Sequence, residues 1–216
     1  MTIVLAAHLK GRNVLLADIF VKEENGQDTT IEKVFPCDWM ESTFVAVLGD
    51  ELFAMILKNG LGDWPKKLDW PPLSGIDLMS PDSMELLAEM ASSYRKVLRE
   101  HKCKLSSTAG HIYVATRTSV ARWSFRVGAD DAFRLESLKP DELHEGWAFI
   151  DSGGAAGGRY IADFVTAADM ERLAAYVGEH SSSLPYQVDG GVTGIIINHT
   201  ADTPLIARCI CTLTRD

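Results

Sequence analysis

The succession of segments along this chain predicts an α+β protein in which β-sheets pack against one another with helices outside. Three observations carry that reading. Short, unbroken apolar runs at 2–7 (TIVLAA) and 13–18 (NVLLAD) are too hydrophobic for strands with a wet face, so both faces of their sheet should be covered. A well-signalled helix runs over about 81–101, opened by Ser80 and Pro81. Strand-like and helix-like segments then follow in the order strands, helices, strands, helices, strands. No internal repeat or linker divides them, so one domain over 1–216 is expected.

Taken in order, the first two runs are joined by His8-Leu9-Lys10-Gly11-Arg12 and read as a hairpin of buried strands. The polar stretch KEENGQDTT reads as a loop. VFPC and TFVAVLG (43–49) read as two further strands. Asp50 can cap a helix over ELFAMILKNG, with Gly60 as its stop signal. The stretch 60–79 holds two Trp-Pro pairs and excludes long regular structure, with Trp64 and Trp70 as loop anchors. HIYVATR and ARWSFRVG alternate like paired strands, and WAFID (147–151) is a short strand. The Gly-rich run from Gly153 to Arg159 is expected to be a tight strand-to-helix turn. Thr166 can cap a helix to about Tyr176, and GIIIN and LIARCICTLT close the chain as strands.

Composition excludes much. With 216 residues, 46% apolar and 24% charged, the chain matches an ordinary globular protein, not a disordered or collagen-like one. A chain this long buries roughly 70% of its unfolded surface. Its formal charge is −9, with no basic cluster, so neither nucleic acid nor an anionic membrane is an expected partner. The opening segment lacks a basic n-region, nothing later approaches a membrane span, and a cytoplasmic location is expected. The four cysteines, at 37, 103, 209 and 211, have no CxxC spacing and read as buried thiols. The six histidines are dispersed, without HxH or HExxH. The run SGGAAGGR is neither GxGxxG nor a P-loop, so a nucleotide site is not expected.

One chemical candidate remains, at the N-terminus. Thr2 directly follows Met1 and is small enough for an aminopeptidase to expose it. A freed Thr2 would supply a hydroxyl nucleophile and its own α-amine as base, whose reference pKa of about 7.7–8.0 suits general-base work near neutrality. Such a site needs a cation to keep the amine neutral, a carboxylate to hold that cation, and an oxyanion donor. Asp18, at the end of the second run, and Lys33, before VFPC, could supply the pair.

TIVLAAHLKGRNVLLAD resembles the opening of proteasome β-subunits and their bacterial HslV-type relatives. EKVFPC is similar to that family's lysine-bearing segment, and TFVAVLGDELFAMIL to its strand-turn-helix. AFIDSGGAAGGRYIADF resembles the segment that supplies a helper serine. DMERLAAYV and DGGVTGIIIN are similar to the penultimate helix and the strand after it. The likeness is collinear over most of the chain.

The resemblance implies a four-layer αββα sandwich, the architecture of N-terminal-nucleophile (Ntn) hydrolases. It also implies a threonine peptidase subunit that assembles as a homo-oligomeric ring and works on peptides or unfolded proteins beside an AAA+ ATPase. Under it, Thr2 is the nucleophile, Lys33 lowers the pKa of the amine, Asp18 orients Lys33, and Ser152 supports the amine. The oxyanion donor falls on the backbone N–H of Ala46, where the family usually has Gly. No metal or organic cofactor is required. The sequence departs from the family pattern in a one-residue-shorter Asp18–Lys33 interval, in the Trp/Pro-rich 60–79 stretch, and at Tyr186 and Asp189, which replace a late Asp and Ser. Two other readings stand beside the peptidase: an unprocessed, inactive ring scaffold that keeps Met1, and a small-molecule Ntn amidase.

Overall fold

The computed structural model describes residues 3–18, 20–22, 28–30, 33–37, 39–49, 51–59, 76–101, 109–152, 158–160 and 192–198. Its early elements are β1 (Ile3–Leu9), β2 (Arg12–Asp18), β3 (Phe20–Lys22), β4 (Asp28–Thr30), β5 (Val34–Pro36), β6 (Phe44–Leu48) and α1 (Glu51–Asn59). They are followed by α2 (Pro81–Glu100), β7 (Ala109–Ala115), β8 (Val120–Val127), β9 (Phe133–Leu135) and β10 (Asp141–Glu142). Last come β11 (Trp147–Ser152), β12 (Gly158–Tyr160) and β13 (Val192–Asn198).

β1 and β2 form the expected hairpin, with Val4 opposite Ala17 and Leu9 opposite Arg12. The connection is Lys10-Gly11, and Gly11 takes φ 77°, a left-handed backbone that glycine adopts without Cβ strain. Around this hairpin the first sheet is ordered β12-β11-β1-β2-β13, antiparallel throughout. The second sheet is ordered β10-β8-β7-β6-β5, with β9 also paired to β8. Strand periodicity then sorts the side chains. Val4, Ala6, Leu15 and Ala17 from the first sheet meet Phe44, Ala46, Tyr113 and Ala115 from the second in one buried cluster. The alternate residues of the second sheet, including Val45, Val47, Ile112, Trp123 and Phe125, pack on Phe53 and Ile56 of α1 and Met84 and Leu87 of α2. Two stacked sheets and a helical layer are therefore described. The other face of the first sheet (Leu5, Ala7, Leu9, Val14, Leu16) is equally closed to solvent.

α2 begins where the sequence places it. Ser80 has extended backbone and its carbonyl accepts from Met84 N–H at 3.2 Å, but its side chain makes no capping bond. The helix is held at its far end by Arg95, which is buried and donates to Asp131 at 2.8 Å while lying over the Phe133 ring. Arg99 also donates to Asp131. Asp131 sits in a tight turn at φ 66°, a backbone that Asp and Asn tolerate better than most residues. The hydrogen bonds from Arg99 and Arg95 hold its carboxyl below the usual carboxylate value. A depressed folded-state pKa contributes stability above the unfolded value, and that contribution is lost as pH falls through the folded one. Wild-type melting temperature should therefore drop on acidification below about pH 4. Asp131→Asn, which keeps the backbone preference, should show a smaller drop over the same range.

The structure corrects the sequence reading at several points. Part of KEENGQDTT is not loop: Phe20 pairs with Thr30 and Lys22 with Asp28 in the β3–β4 ladder. Its polar residues hid strands that belong to a small separate two-stranded sheet. The Gly-rich run leads not into a helix but into β12, which pairs antiparallel with β11 (Phe149 opposite Gly158, Trp147 opposite Tyr160). Geometry thus removes the strand-to-helix context a phosphate loop needs. β9 and β10 were too short and polar to announce themselves. Cys37 is a buried free thiol as expected. The Trp64/Trp70 stretch, Asp50, Gly60, the helix from Thr166, the LIARCICTLT segment, Cys103, Cys209, Cys211, Tyr186 and Asp189 lie outside the described residues. Among the described residues no helix is long and apolar enough to cross a membrane.

Candidate active site

The start of β1 is where the candidate residues converge along the backbone. Ile3 pairs with Ser152, the last residue of β11. On the other side Val4 pairs with Ala17, so Asp18 is the next residue of β2, level with Ile3. Antiparallel partners have Cα atoms about 4.5–5.5 Å apart, so Asp18 and Ser152 flank the position that Thr2 precedes. Thr2 itself lies outside the described residues.

Ala46 belongs to the second sheet, and Lys33 immediately precedes that sheet's edge strand β5. Val34 pairs with Ala46, which places Lys33 one residue before that pair at the start of β5. β5 lies against β2 and β13, so the strand that ends in Asp18 contacts, across the sandwich, the strand that Lys33 precedes. Lys33 is only 7% exposed and is engaged with its surroundings. A buried ammonium persists only when its charge is compensated. Ala46 is fully buried mid-strand, its side chain in the cluster between the sheets, with Val34 on one side and Tyr113 on the other.

Next to these positions sits a buried polar group that the sequence reading missed. Asp151, 0% exposed and adjacent to Ser152, accepts from Tyr113 Oη at 2.5 Å and from Arg122 at 2.8 Å. Arg122 bridges onward to Asp141 at 2.7 Å and stacks over the Phe149 ring, 4.2 Å from its centre. Burial opposes the Arg122 charge, but the hydrogen bonds to Asp141 and Asp151 outweigh it and raise its pKa. Burial, and then the Asp151 charge, push the Tyr113 hydroxyl well above its ordinary value, so it stays a donor. His111, on the same face of β7, bonds Ser124 Oγ through Nδ1 at 2.9 Å, and burial lowers its pKa. The available signal was faint. Arg122, Ser124 and Arg126 alternate with Trp123 and Phe125 and read as a solvent face, yet Arg122 is 11% exposed.

A cavity of about 390 Å³ opens elsewhere, between Glu41–Thr43, Met79 and the β7–β8 turn at Thr116–Ser119. Asn13, opposite His8 at the far end of β1, donates to Thr116 O at 2.7 Å, so this cavity is at the other end of the sandwich from Ile3. Among the described residues no group of three His, Cys, Asp or Glu side chains could hold a metal.

No family model matches the chain, and no curated protein matches it. Solved structures do. The helical assembly of the Anbu complex from Pseudomonas aeruginosa superposes with TM-score 0.52 at 14% identity, over 96% of this chain and 86% of that one. BPH from Thiobacillus denitrificans gives 0.48 at 17% identity, over 93% of this chain and 99% of its own. HslV from Trypanosoma brucei gives 0.41 at 12% identity, over 91% and 99%. At 14% identity the likeness to the Anbu complex, the one of these three with a TM-score above 0.5, is one of fold.

Proposed function

We propose that this chain, whose fold is that of the proteasome-like Ntn proteins, is a threonine-type peptidase subunit with Thr2 as nucleophile after removal of Met1. The observation that supports it most is the register at the start of β1, where Asp18 and Ser152 flank Ile3, while buried Lys33 immediately precedes the strand whose first residue, Val34, pairs with Ala46. Thr2 Oγ attacks the peptide carbonyl as its α-amine takes the hydroxyl proton. The oxyanion donor in this reading is the N–H of Ala46, which pairs mid-strand with Val34 on one side and Tyr113 on the other and must give up its ladder bond to serve. The intermediate collapses to an ester, and the leaving amine takes its proton from the α-ammonium. A water activated by the same amine then releases the acyl group. Lys33 keeps the amine neutral by charge repulsion, Asp18 orients Lys33, and Ser152 supports the amine's hydrogen bonding.

The whole chain, 1–216, forms one domain in this reading. The closed outer face of the first sheet supports a second helical layer there, completing an αββα sandwich. Subunits assemble into a homo-oligomeric ring in the cytoplasm, where an AAA+ ATPase delivers unfolded protein. Hydrolysis of a fluorogenic peptide panel and of small amides, with sedimentation velocity of the same sample, tests this. Peptide turnover by a multi-subunit particle is expected. Turnover of small amides alone would replace the peptidase with an amidase, and a monomer would remove the ring. A second reading, an inactive ring scaffold that keeps Met1, is favoured by Tyr186 and Asp189 at positions where the family has Asp and Ser. It predicts a particle of the same size with no hydrolysis.

A further inference from the structure

We infer that the buried Tyr113–Asp151–Arg122 group is a positioning device for this site: it ties the backbone beside the nucleophile to the strand beside the oxyanion donor. The inference rests on the peptidase reading above. Its geometry rests on described residues alone.

Asp151 faces Val4 across the β1–β11 ladder and is bonded to Ser152, which faces Ile3. Tyr113 faces Ala46 across the β6–β7 ladder. The Tyr113 Oη–Asp151 bond, at 2.5 Å, therefore runs from the direct neighbour of Ala46 in one sheet to the direct neighbour of Val4 in the other. Stacked sheets stand about 10 Å apart. The cluster around this bond is apolar and non-directional, and the other described side-chain tie between the sheets, from Asn13 to Thr116 and Ser119, lies at the far end. A directional bond to a fully buried carboxylate does not slide. Arg122, which faces Tyr113 in the β7–β8 ladder, holds the same Asp151 oxygen at 2.8 Å and fixes the acceptor's position. The pair across the sheets thus sets the offset between the N-terminal strand and β6. An attack at a carbonyl whose oxygen must meet Ala46 N–H depends on that offset, and a misplacement near 1 Å can cost about a hundredfold in rate. Burial holds the Tyr113 hydroxyl well above its ordinary pKa, so it remains a donor to this bond.

Other residues could have carried this stretch of interface without charge. The surrounding cluster is apolar, and a buried ion pair is a costly way to gain stability alone. Arg122 Nε, moreover, has no hydrogen-bond partner among the described residues.

The test compares the wild-type chain with Tyr113→Phe, which deletes one hydroxyl and leaves the ion pair intact. Arg95→Met, on the helical side of the second sheet and outside the cluster between the sheets, serves as the stability control. Two readouts are taken: kcat and KM for peptide hydrolysis, and amide hydrogen exchange at residues 3–5 and 151–152. Tyr113→Phe is expected to lower kcat about tenfold, with KM within twofold, and to speed exchange in those two segments only. Arg95→Met should lower the melting temperature at least as much while keeping kcat within twofold. Unchanged kcat in Tyr113→Phe, or an equal loss in both variants, overturns the inference. If the wild-type chain hydrolyses nothing, the peptidase reading fails and the exchange measurement decides the cross-sheet tie by itself. Local acceleration in Tyr113→Phe then supports the tie, and unchanged exchange removes it.

Discussion

Replacing Thr2 by Ala should lower peptide hydrolysis by on the order of 10³-fold or more, with melting temperature unchanged. The substitution removes the one hydroxyl that the proposed chemistry attacks with, and it sits ahead of the first paired residue, Ile3, so no described ladder contact is lost. Lys33→Met should act through a different quantity. Removing a buried cation raises the α-amine's pKa, so the ascending limb of the kcat pH profile should move to higher pH while Thr2→Ala merely scales the profile down. Thr2→Ala at full activity would end the nucleophile assignment. An unmoved limb in Lys33→Met would detach Lys33 from the amine.

The largest effect on stability is expected from Asp151→Ala. Arg122 is then left 11% exposed with only surface Asp141 to answer its charge, and Tyr113 loses its acceptor inside the apolar cluster. Breaking a buried pair from one side typically costs about 3–5 kcal/mol, because the surviving charge remains desolvated. A shift of the urea midpoint at constant m-value would report that loss. Asp151→Asn keeps an acceptor for Tyr113 and should cost less than the Ala variant. A loss under about 1 kcal/mol in Asp151→Ala would mean that Arg122 relaxes into solvent, where ion pairs contribute little.

How far the sequence revealed this structure depended on what each segment has to bury. The β1–β2 hairpin was legible because both its faces are covered: Val4, Ala6, Leu15 and Ala17 on one, Leu5, Ala7, Val14 and Leu16 on the other. α2 was legible through Ser80-Pro81 and its apolar stripe, Met84, Leu87, Ala88 and Ala91. β3 and β4 were not, because a short two-stranded ladder is fixed by backbone pairing more than by an apolar pattern. The Gly-rich run misled because glycine permits a hairpin and a strand-to-helix turn equally, and pairing with β11 decides between them.

The candidate site divides in the same way. Asp18, Lys33 and Ser152 are proposed on the resemblance, and the backbone sets Asp18 and Ser152 at strand ends beside Ile3 and Lys33 just before β5. The resemblance names none of Tyr113, Asp151 and Arg122. Asp151 lies 38 residues from Tyr113 and 29 from Arg122, and it meets them only when the two sheets stack. Nothing local distinguishes an arginine on a wet strand face from one folded against a buried carboxylate. The long-range partner makes the difference, and no one-dimensional pattern carries it.

The most direct test of the central claim is the intact mass of the purified chain carrying no N-terminal tag. The peptidase account predicts a mass short of the full sequence by one Met residue, leaving the amine of Thr2 free to act as base. A mass equal to the complete sequence would lock that amine in a peptide bond and contradict the account, leaving the ring scaffold in its place.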